Sequence, residues 1–144
     1  MRTPLEKIYM KTAILFSERA TCNRKKVGGV LVLDGRIIAT GYCGSPSKTD
    51  HCIDVGCEIQ IKDGRESCVR TVHCEMAIIS FCARHGLSTL GTELFITLCP
   101  CYECAKVLIN AGIKKVFYLE EYSGKSGKEL LKNNGIECIQ YKEV

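Results

Sequence analysis

The chain has no tryptophan, few aromatic residues and no long apolar run. Aromatic residues make up 7% of its 144 residues, and they form no stripe with basic residues, which argues against nucleic acid as a partner. Charges interrupt segment 1–19, so it lacks the apolar core of a secretion signal, and no other segment reaches membrane length. We therefore expect a cytoplasmic protein that does not bind membranes.

The sequence also lacks internal repeats, low-complexity tracts and linkers that would divide it. A hydrophobic fraction of 46% is enough to build one buried core, so we expect a single domain over residues 1–144. Lys and Arg total 20 against 16 Asp and Glu, giving a net charge of +4. This balance suits a nucleotide phosphate but is too small to indicate a nucleic-acid surface.

Cysteine is abundant instead, with 11 residues. An odd number cannot pair completely, and a reducing cytoplasm keeps thiols free. Metal binding or simple burial must therefore account for most of them.

The first half of the chain contains signals for a helix, a hairpin and a loop. Thr3 is predicted as the cap of the first helix, with Pro4 in its first turn. Asp34-Gly35 favours a tight turn between two β-rich runs. The polar, cysteine-rich segment 44–70 has no steady periodicity, and we predict a long ordered loop that needs an internal brace.

The second half alternates strands with short helices, the last of them capped by Ser126. This order implies right-handed βαβ crossovers. We predict an α/β fold, a three-layer α/β/α sandwich around a mixed, partly parallel five-stranded sheet. The predicted strands are 27–33, 36–42, 93–98, 115–119 and 136–141.

Two short motifs stand at the starts of predicted helices. His73-Cys74-Glu75 and Pro100-Cys101-Tyr102-Glu103-Cys104 match the H-x-E and P-C-x-x-C signature of zinc-dependent base deaminases. A Cys-x-x-Cys pair entering a helix puts both sulfurs on one turn, where first-turn amides favour thiolate. With His73 as the third ligand, zinc keeps its fourth position open for water, as in catalytic sites.

Zinc lowers the pKa of bound water, so hydroxide becomes available to attack a ring carbon that bears an amino group. Glu75 lies two residues beyond a ligand and is predicted to carry protons between water, ring nitrogen and departing ammonia. The alternative is a closed structural Cys3His zinc completed by Cys99 or Cys74. A Cys-x-x-Cys pair alone could equally be a redox pair or half of a zinc ribbon.

From Ser17 to Tyr122 the sequence resembles the deoxycytidylate deaminase family of phages and competence operons, within the cytidine deaminase superfamily. Besides the two motifs, the resemblance is carried by the segments 17–24, 27–28, 38–42, 51–52, 56–57, 68–72, Thr97 and 111–116. It implies hydrolysis of dCMP to dUMP and ammonia for thymidylate synthesis. It also implies a homo-oligomer, often a hexamer, with dCTP and dTTP as effectors.

The resemblance assigns zinc to His73, Cys101 and Cys104 and proton transfer to Glu75. It also suggests nucleotide contacts, which we place on a set of weaker candidates: Arg24, Cys43, Gly44, Ser45, Thr97 and Tyr122. Two positions depart from the family pattern, because Cys43 and Ala77 stand where asparagines are usual. Arg24 is the favoured phosphate ligand, with a solvated charge run as the alternative.

The remaining cysteines suggest a second metal site. Some family members hold a further zinc near the segment 44–70, and a structural zinc here would use Cys22, Cys52, Cys57 and Cys68, with His51 as a substitute ligand. Reduced, buried thiols are the alternative.

Other activities stay open at this point. The substrate could be dCTP, a modified deoxycytidylate, a free nucleoside such as cytidine, or adenine in RNA. The chain could also be a noncatalytic zinc-braced module that binds a nucleotide.

Overall fold

A computed structural model describes residues 1–144 and contains five helices and seven strands. The helices are α1 Leu5–Ser17, α2 Cys52–Val55, α3 Cys74–His85, α4 Tyr102–Asn110 and α5 Lys128–Asn133. The strands are β1 Gly28–Leu33, β2 Arg36–Tyr42, β3 Ile59–Lys62, β4 Arg65–Cys68, β5 Glu93–Leu98, β6 Lys115–Glu120 and β7 Glu137–Gln140. No helix combines the length and the apolar character that crossing a bilayer requires.

Five of the strands form one mixed sheet in the order β2-β1-β5-β6-β7. The β1–β2 and β1–β5 pairs are antiparallel, whereas β5, β6 and β7 run parallel. Helices α4 and α5 connect the parallel strands, as crossover connections require. The predicted mixed, partly parallel five-stranded sheet is confirmed.

Helices cover both faces of the sheet. On one face α1 packs Met10 and Ala13 against Val30, Val32 and Phe95. The alternate residues of the same strands face the other way and pack with α3, α4 and α5. The three-layer α/β/α prediction is therefore confirmed.

Close approach of helix and strand depends on small residues in β1. A Cβ on Gly28 would collide with the Ala13 carbonyl oxygen and the Ser17 backbone of α1. Gly28 lets this strand start directly beneath the helix, and its N–H donates to the Thr97 hydroxyl of β5 at 3.2 Å. The start of β1 is thus fixed beside the end of β5.

The prediction of a long loop over residues 44–70 was wrong. The segment contains α2 and the antiparallel β3–β4 hairpin. Asp63 and Gly64 form the hairpin turn with φ angles of 52° and 74°, the same left-handed conformation that Asp34 and Gly35 adopt between β1 and β2. Four-residue strands are too short to produce a clear period, so only the turn signalled the hairpin.

The observed helix ends agree in part with those predicted from the sequence. The Thr3 cap was wrong, because α1 starts after Pro4 and has no side-chain cap hydrogen bond. The α3 helix ends as predicted, with Gly86 in the left-handed conformation at φ 67°. Before α5 the Ser126 hydroxyl accepts a hydrogen bond from the Lys128 N–H at 3.0 Å, although Gly127 is the residue that precedes the helix.

Candidate metal centre and active-site cavity

The two motif helices begin at the same edge of the sheet. His73 is the residue before α3, and Cys101 is the residue before α4, directly after β5. Both have extended backbone, and the two helices are in contact. Two helix N-termini therefore meet where β5 ends, which is the usual position of sites in α/β sheets.

This meeting brings three possible metal ligands together. The ligand atoms of His73, Cys101 and Cys104 lie within 4.8 Å of one another. His73 Nδ1 is 3.3 Å from Cys104 Sγ and 3.6 Å from Cys101 Sγ. Tetrahedral zinc with ordinary bond lengths separates a ligand nitrogen from a ligand sulfur by about 3.6 Å, so the arrangement fits this metal.

Local hydrogen bonds favour a thiolate in this cluster. The pKa of Cys101 is lowered to about 4, first by a hydrogen bond from Cys104. Burial opposes this shift, and a hydrogen bond from His73 adds to it. The Cys104 N–H also donates to Cys101 Sγ at 3.5 Å, as a helix cap. The pKa of Cys104 is raised, first by its bond to Cys101 and then by burial. Cys101 is thus the first thiol here to ionise, and ionised sulfur is the form that binds zinc.

Glu75 lies beside the three ligands in the first turn of α3. The residue is 5% exposed, and burial raises the pKa of its carboxyl to about 7. Its charge also shifts the pKa values of His73 and Cys104, which places the carboxyl next to the cluster. A carboxyl with a pKa near neutrality can both accept and donate a proton at physiological pH.

The two other cysteines nearby also line the cavity described below, but their sulfur atoms contact other groups. Cys74 Sγ lies under β1, where it would be 3.1 Å from a Cβ on Gly29. Cys99 Sγ is 3.5 Å from the Ser126 hydroxyl. Neither belongs to the group of ligand atoms around His73. The closed Cys3His arrangement therefore has no fourth protein ligand here.

The cluster opens into a cavity of about 340 Å³, a size suited to a small ligand. His73, Glu75 and Cys101 are among the residues that line it. Of the six candidates for nucleotide contacts, three line it as well: Arg24, Cys43 and Tyr122.

The other three candidates lie outside the lining of the cavity. Gly44 forms an antiparallel bridge with Val72. The Ser45 hydroxyl is buried without a hydrogen-bond partner, and Thr97 accepts the bond from Gly28. These residues can shape the site through the backbone, but the cavity is built mainly by other side chains.

Cys43, one of the two positions that depart from the family pattern the sequence resembles, has a thiol whose hydrogen bonds are made within the protein. Its thiol donates to the Lys25 carbonyl at 3.1 Å and accepts from the Val27 N–H at 3.3 Å. The thiol therefore fixes the backbone that carries Arg24 and Lys25 along the cavity wall.

A second cluster contains the four predicted loop cysteines Cys22, Cys52, Cys57 and Cys68. Their sulfur atoms lie within 4.8 Å of one another, with 3.8 Å between Cys22 and Cys57 and 3.6 Å between Cys52 and Cys68. Zinc bound to four sulfurs separates them by about 3.8 Å, so these residues also fit the metal. His51 lies apart from this set, with Nδ1 3.1 Å from the Thr21 hydroxyl.

Backbone amides support a thiolate in the second cluster. Burial disfavours ionisation of Cys68, but N–H groups of Arg70, Thr71 and Glu58 outweigh it and lower the pKa to about 6. Burial raises the pKa of Cys52 to about 12. Cys68 is thus the thiol of this cluster that ionises most readily, as Cys101 is in the three-ligand group.

Several cavity residues were missing from the sequence analysis. Arg65, Glu66 and Ser67 of β4 line the cavity, and so does Thr71, whose buried hydroxyl has no partner. The hairpin brings them there, and the Asp63-Gly64 turn was the available signal.

Comparison with known proteins agrees with the geometry. The family model for the cytidine and deoxycytidylate deaminase zinc-binding region matches residues 4–120. ComE operon protein 2 of Bacillus subtilis is 41% identical over 133 residues, covering 92% of this chain and 68% of the relative. The deoxycytidylate deaminase of Enterobacteria phage T4 is 33% identical, covering 90% of this chain and 86% of its own.

A solved structure extends the likeness to the whole fold. The dCMP deaminase of the cyanophage S-TIM5, in complex with dCMP and dUMP, superposes with a TM-score of 0.83 at 35% identity. The match covers 98% of this chain and 99% of the phage enzyme. The chain therefore belongs to the cytidine and deoxycytidylate deaminase family, within its group of deoxycytidylate deaminases.

Proposed function

We propose that the protein catalyses zinc-dependent hydrolysis of dCMP to dUMP and ammonia, and so supplies dUMP for thymidylate synthesis. The observation that carries this proposal is a three-ligand cluster with zinc-like separations beside a buried carboxyl, in the lining of a cavity. Relatives named deoxycytidylate deaminase support dCMP as the substrate.

His73, Cys101 and Cys104 would hold the zinc. The metal, when bound, supplies Lewis-acid chemistry by lowering the pKa of water toward neutrality. Helix N-termini orient the two thiols, and Cys101 caps α4, so the hydrogen bond that its Sγ accepts from the Cys104 N–H keeps this sulfur in place.

Glu75 carries the protons of the reaction. Its carboxylate takes a proton from the attacking water and passes it to N3 of the ring as oxygen bonds to C4. The carboxyl then accepts the second proton of that oxygen and gives it to the amino group, which leaves as ammonia while the carbonyl forms. The raised pKa of Glu75 suits both directions of transfer.

A second, structural zinc is proposed on Cys22, Cys52, Cys57 and Cys68. Four sulfur ligands close a tetrahedral site, so this metal would have a bracing role. It would join α2 and the base of the β3–β4 hairpin to the segment after α1.

The test is ammonia release from a panel of substrates: dCMP, dCTP, deoxycytidine, cytidine and a transfer RNA. We expect dCMP to give the highest kcat/KM, with activity lost on chelation and restored by zinc. Turnover of RNA adenine or of free nucleosides in preference to dCMP would overturn the substrate, and absence of any turnover by zinc-loaded protein would favour a noncatalytic binding module.

A further inference from the structure

Three basic side chains line the cavity, and they differ in whether a carboxylate already neutralises their charge. Arg24 is engaged with Glu66, because Nη2 donates to the backbone carbonyl at 3.4 Å and Nη1 lies 3.8 Å from the carboxylate. Lys25 and Arg65 form no ion pair. Arg65 is therefore the guanidinium in the cavity whose charge no carboxylate neutralises.

Arg65 is held in the cavity lining by neutral groups. It is the first residue of β4, and its Nη2 donates to the Ser123 hydroxyl at 3.0 Å, joining the hairpin to the segment after β6. Its Nη1 lies against Gly124, where a Cβ would collide with it. One edge of the guanidinium is thus fixed, and the remaining N–H groups are available for a ligand.

Tyr122 lies beside this guanidinium on the cavity wall. A Cβ on Gly124 would meet both Arg65 Nη1 and the Tyr122 ring, and Tyr122 lines the same cavity as Glu75 and Cys101. Glu75 is buried, whereas Arg65 is exposed. A pyrimidine nucleotide with its amino group at Glu75 would therefore extend its sugar and phosphate toward the exposed part of the lining, where Arg65 lies.

We propose that Arg65 is a specificity-determining residue that binds the 5′-phosphate and makes the enzyme prefer a nucleotide over a nucleoside. The inference rests on the proposed function. A guanidinium binds phosphate through two parallel charge-assisted hydrogen bonds, and a nucleoside offers nothing in their place. Pairing with Glu66 leaves Arg24 a secondary role.

The experiment compares the ratio of kcat/KM for dCMP to that for deoxycytidine, together with dUMP binding by calorimetry. Arg65→Gln should lower the ratio and the dUMP affinity roughly tenfold to a hundredfold, through KM for dCMP, with a much smaller effect on deoxycytidine turnover. Arg65→Lys should give an intermediate loss, because charge remains without the fork. Arg36→Gln, an exposed arginine at the β1–β2 turn, is the matched control.

The results separate the two proposals. Wild-type protein that neither binds dUMP nor releases ammonia from dCMP would refute the proposed function. An active enzyme whose phosphate preference survives Arg65→Gln, or disappears in Arg24→Gln instead, would overturn the role of Arg65.

Discussion

The two sulfur-rich clusters of this molecule differ in what surrounds them. The group at His73, Cys101 and Cys104 has three ligand atoms, a buried carboxyl beside it and a cavity in front. The group at Cys22, Cys52, Cys57 and Cys68 has four sulfurs and no acidic side chain, although Cys22 and Cys68 also line the cavity. A tetrahedral zinc would therefore keep one position free in the three-ligand group and none in the four-thiol group.

The supporting elements differ as well. The three-ligand group stands on the N-termini of α3 and α4, which pack on the large sheet. The four-thiol group joins a four-residue helix to a two-stranded hairpin whose β3 strand is exposed along its length. The sheet is therefore expected to position the three-ligand group before metal binds, whereas the hairpin region would depend on the proposed second zinc for order.

The largest expected effect isolates the proton carrier. Glu75→Ala should lower kcat by about 10² to 10⁴-fold, because general acid–base transfer is lost while the ligands remain. Zinc content, measured by mass spectrometry, should equal that of wild type. Glu103→Ala is the matched control, since this acid in the first turn of α4 is exposed and paired with Lys106 at 2.7 Å. Turnover by Glu75→Ala comparable with that of wild type would refute the proposed role of Glu75 in proton transfer.

Ligand substitutions should separate catalysis from bracing. Cys104→Ala and Cys52→Ala should each remove about one zinc per chain, but only Cys104→Ala should abolish turnover outright. Cys52→Ala should instead lower the melting temperature, by on the order of 10 °C, and expose the β3–β4 hairpin to amide exchange. Equal loss of stability in both variants would contradict the distinction between the sites.

A smaller effect is expected in the pH dependence of unfolding, where Glu75 beside the three-ligand group titrates. Burial raises the pKa of Glu75 to about 7, above its usual value, so its stabilising contribution is present at low pH and lost as the pH rises through 7. In zinc-depleted protein, Glu75→Gln should therefore gain about 2 kcal/mol of unfolding free energy relative to wild type between about pH 5.5 and pH 8. Urea unfolding measures this, and a constant difference would show that the carboxyl is not buried.

The smallest effect is expected for a cysteine of neither cluster. Cys82 is 1% exposed in the main core, where burial raises the pKa of its thiol. Cys82→Ala should leave the zinc content unchanged and cost about 1 kcal/mol through lost packing. A fall in metal content would mean that the clusters extend beyond the residues assigned to them.

Much of the fold was accessible from the sequence because its signals are local. Gly86 ended α3, the Asp34-Gly35 turn closed β1 on β2, and the alternation of later elements implied parallel strands. The two motifs led to the expectation that His73, Cys101 and Cys104 lie together, as they do, because the spacing at each helix start is fixed by helix geometry.

The rest depends on contacts between distant residues. The β3–β4 hairpin was missed because its strands have four residues each and β3 is entirely exposed. Arg65 could not be placed without that hairpin, since Ser123 lies 58 residues away in sequence. The engagement of Cys43 with Lys25 and Val27 is likewise a tertiary contact that no motif encodes.

The most direct test of the central claim is anomalous diffraction at the zinc edge from crystals of the metal-loaded protein. We predict one zinc bound by His73, Cys101 and Cys104, with its fourth position free of protein atoms and facing Glu75. A fourth ligand from Cys74, Cys99 or Glu75, or no metal at these residues, would contradict it.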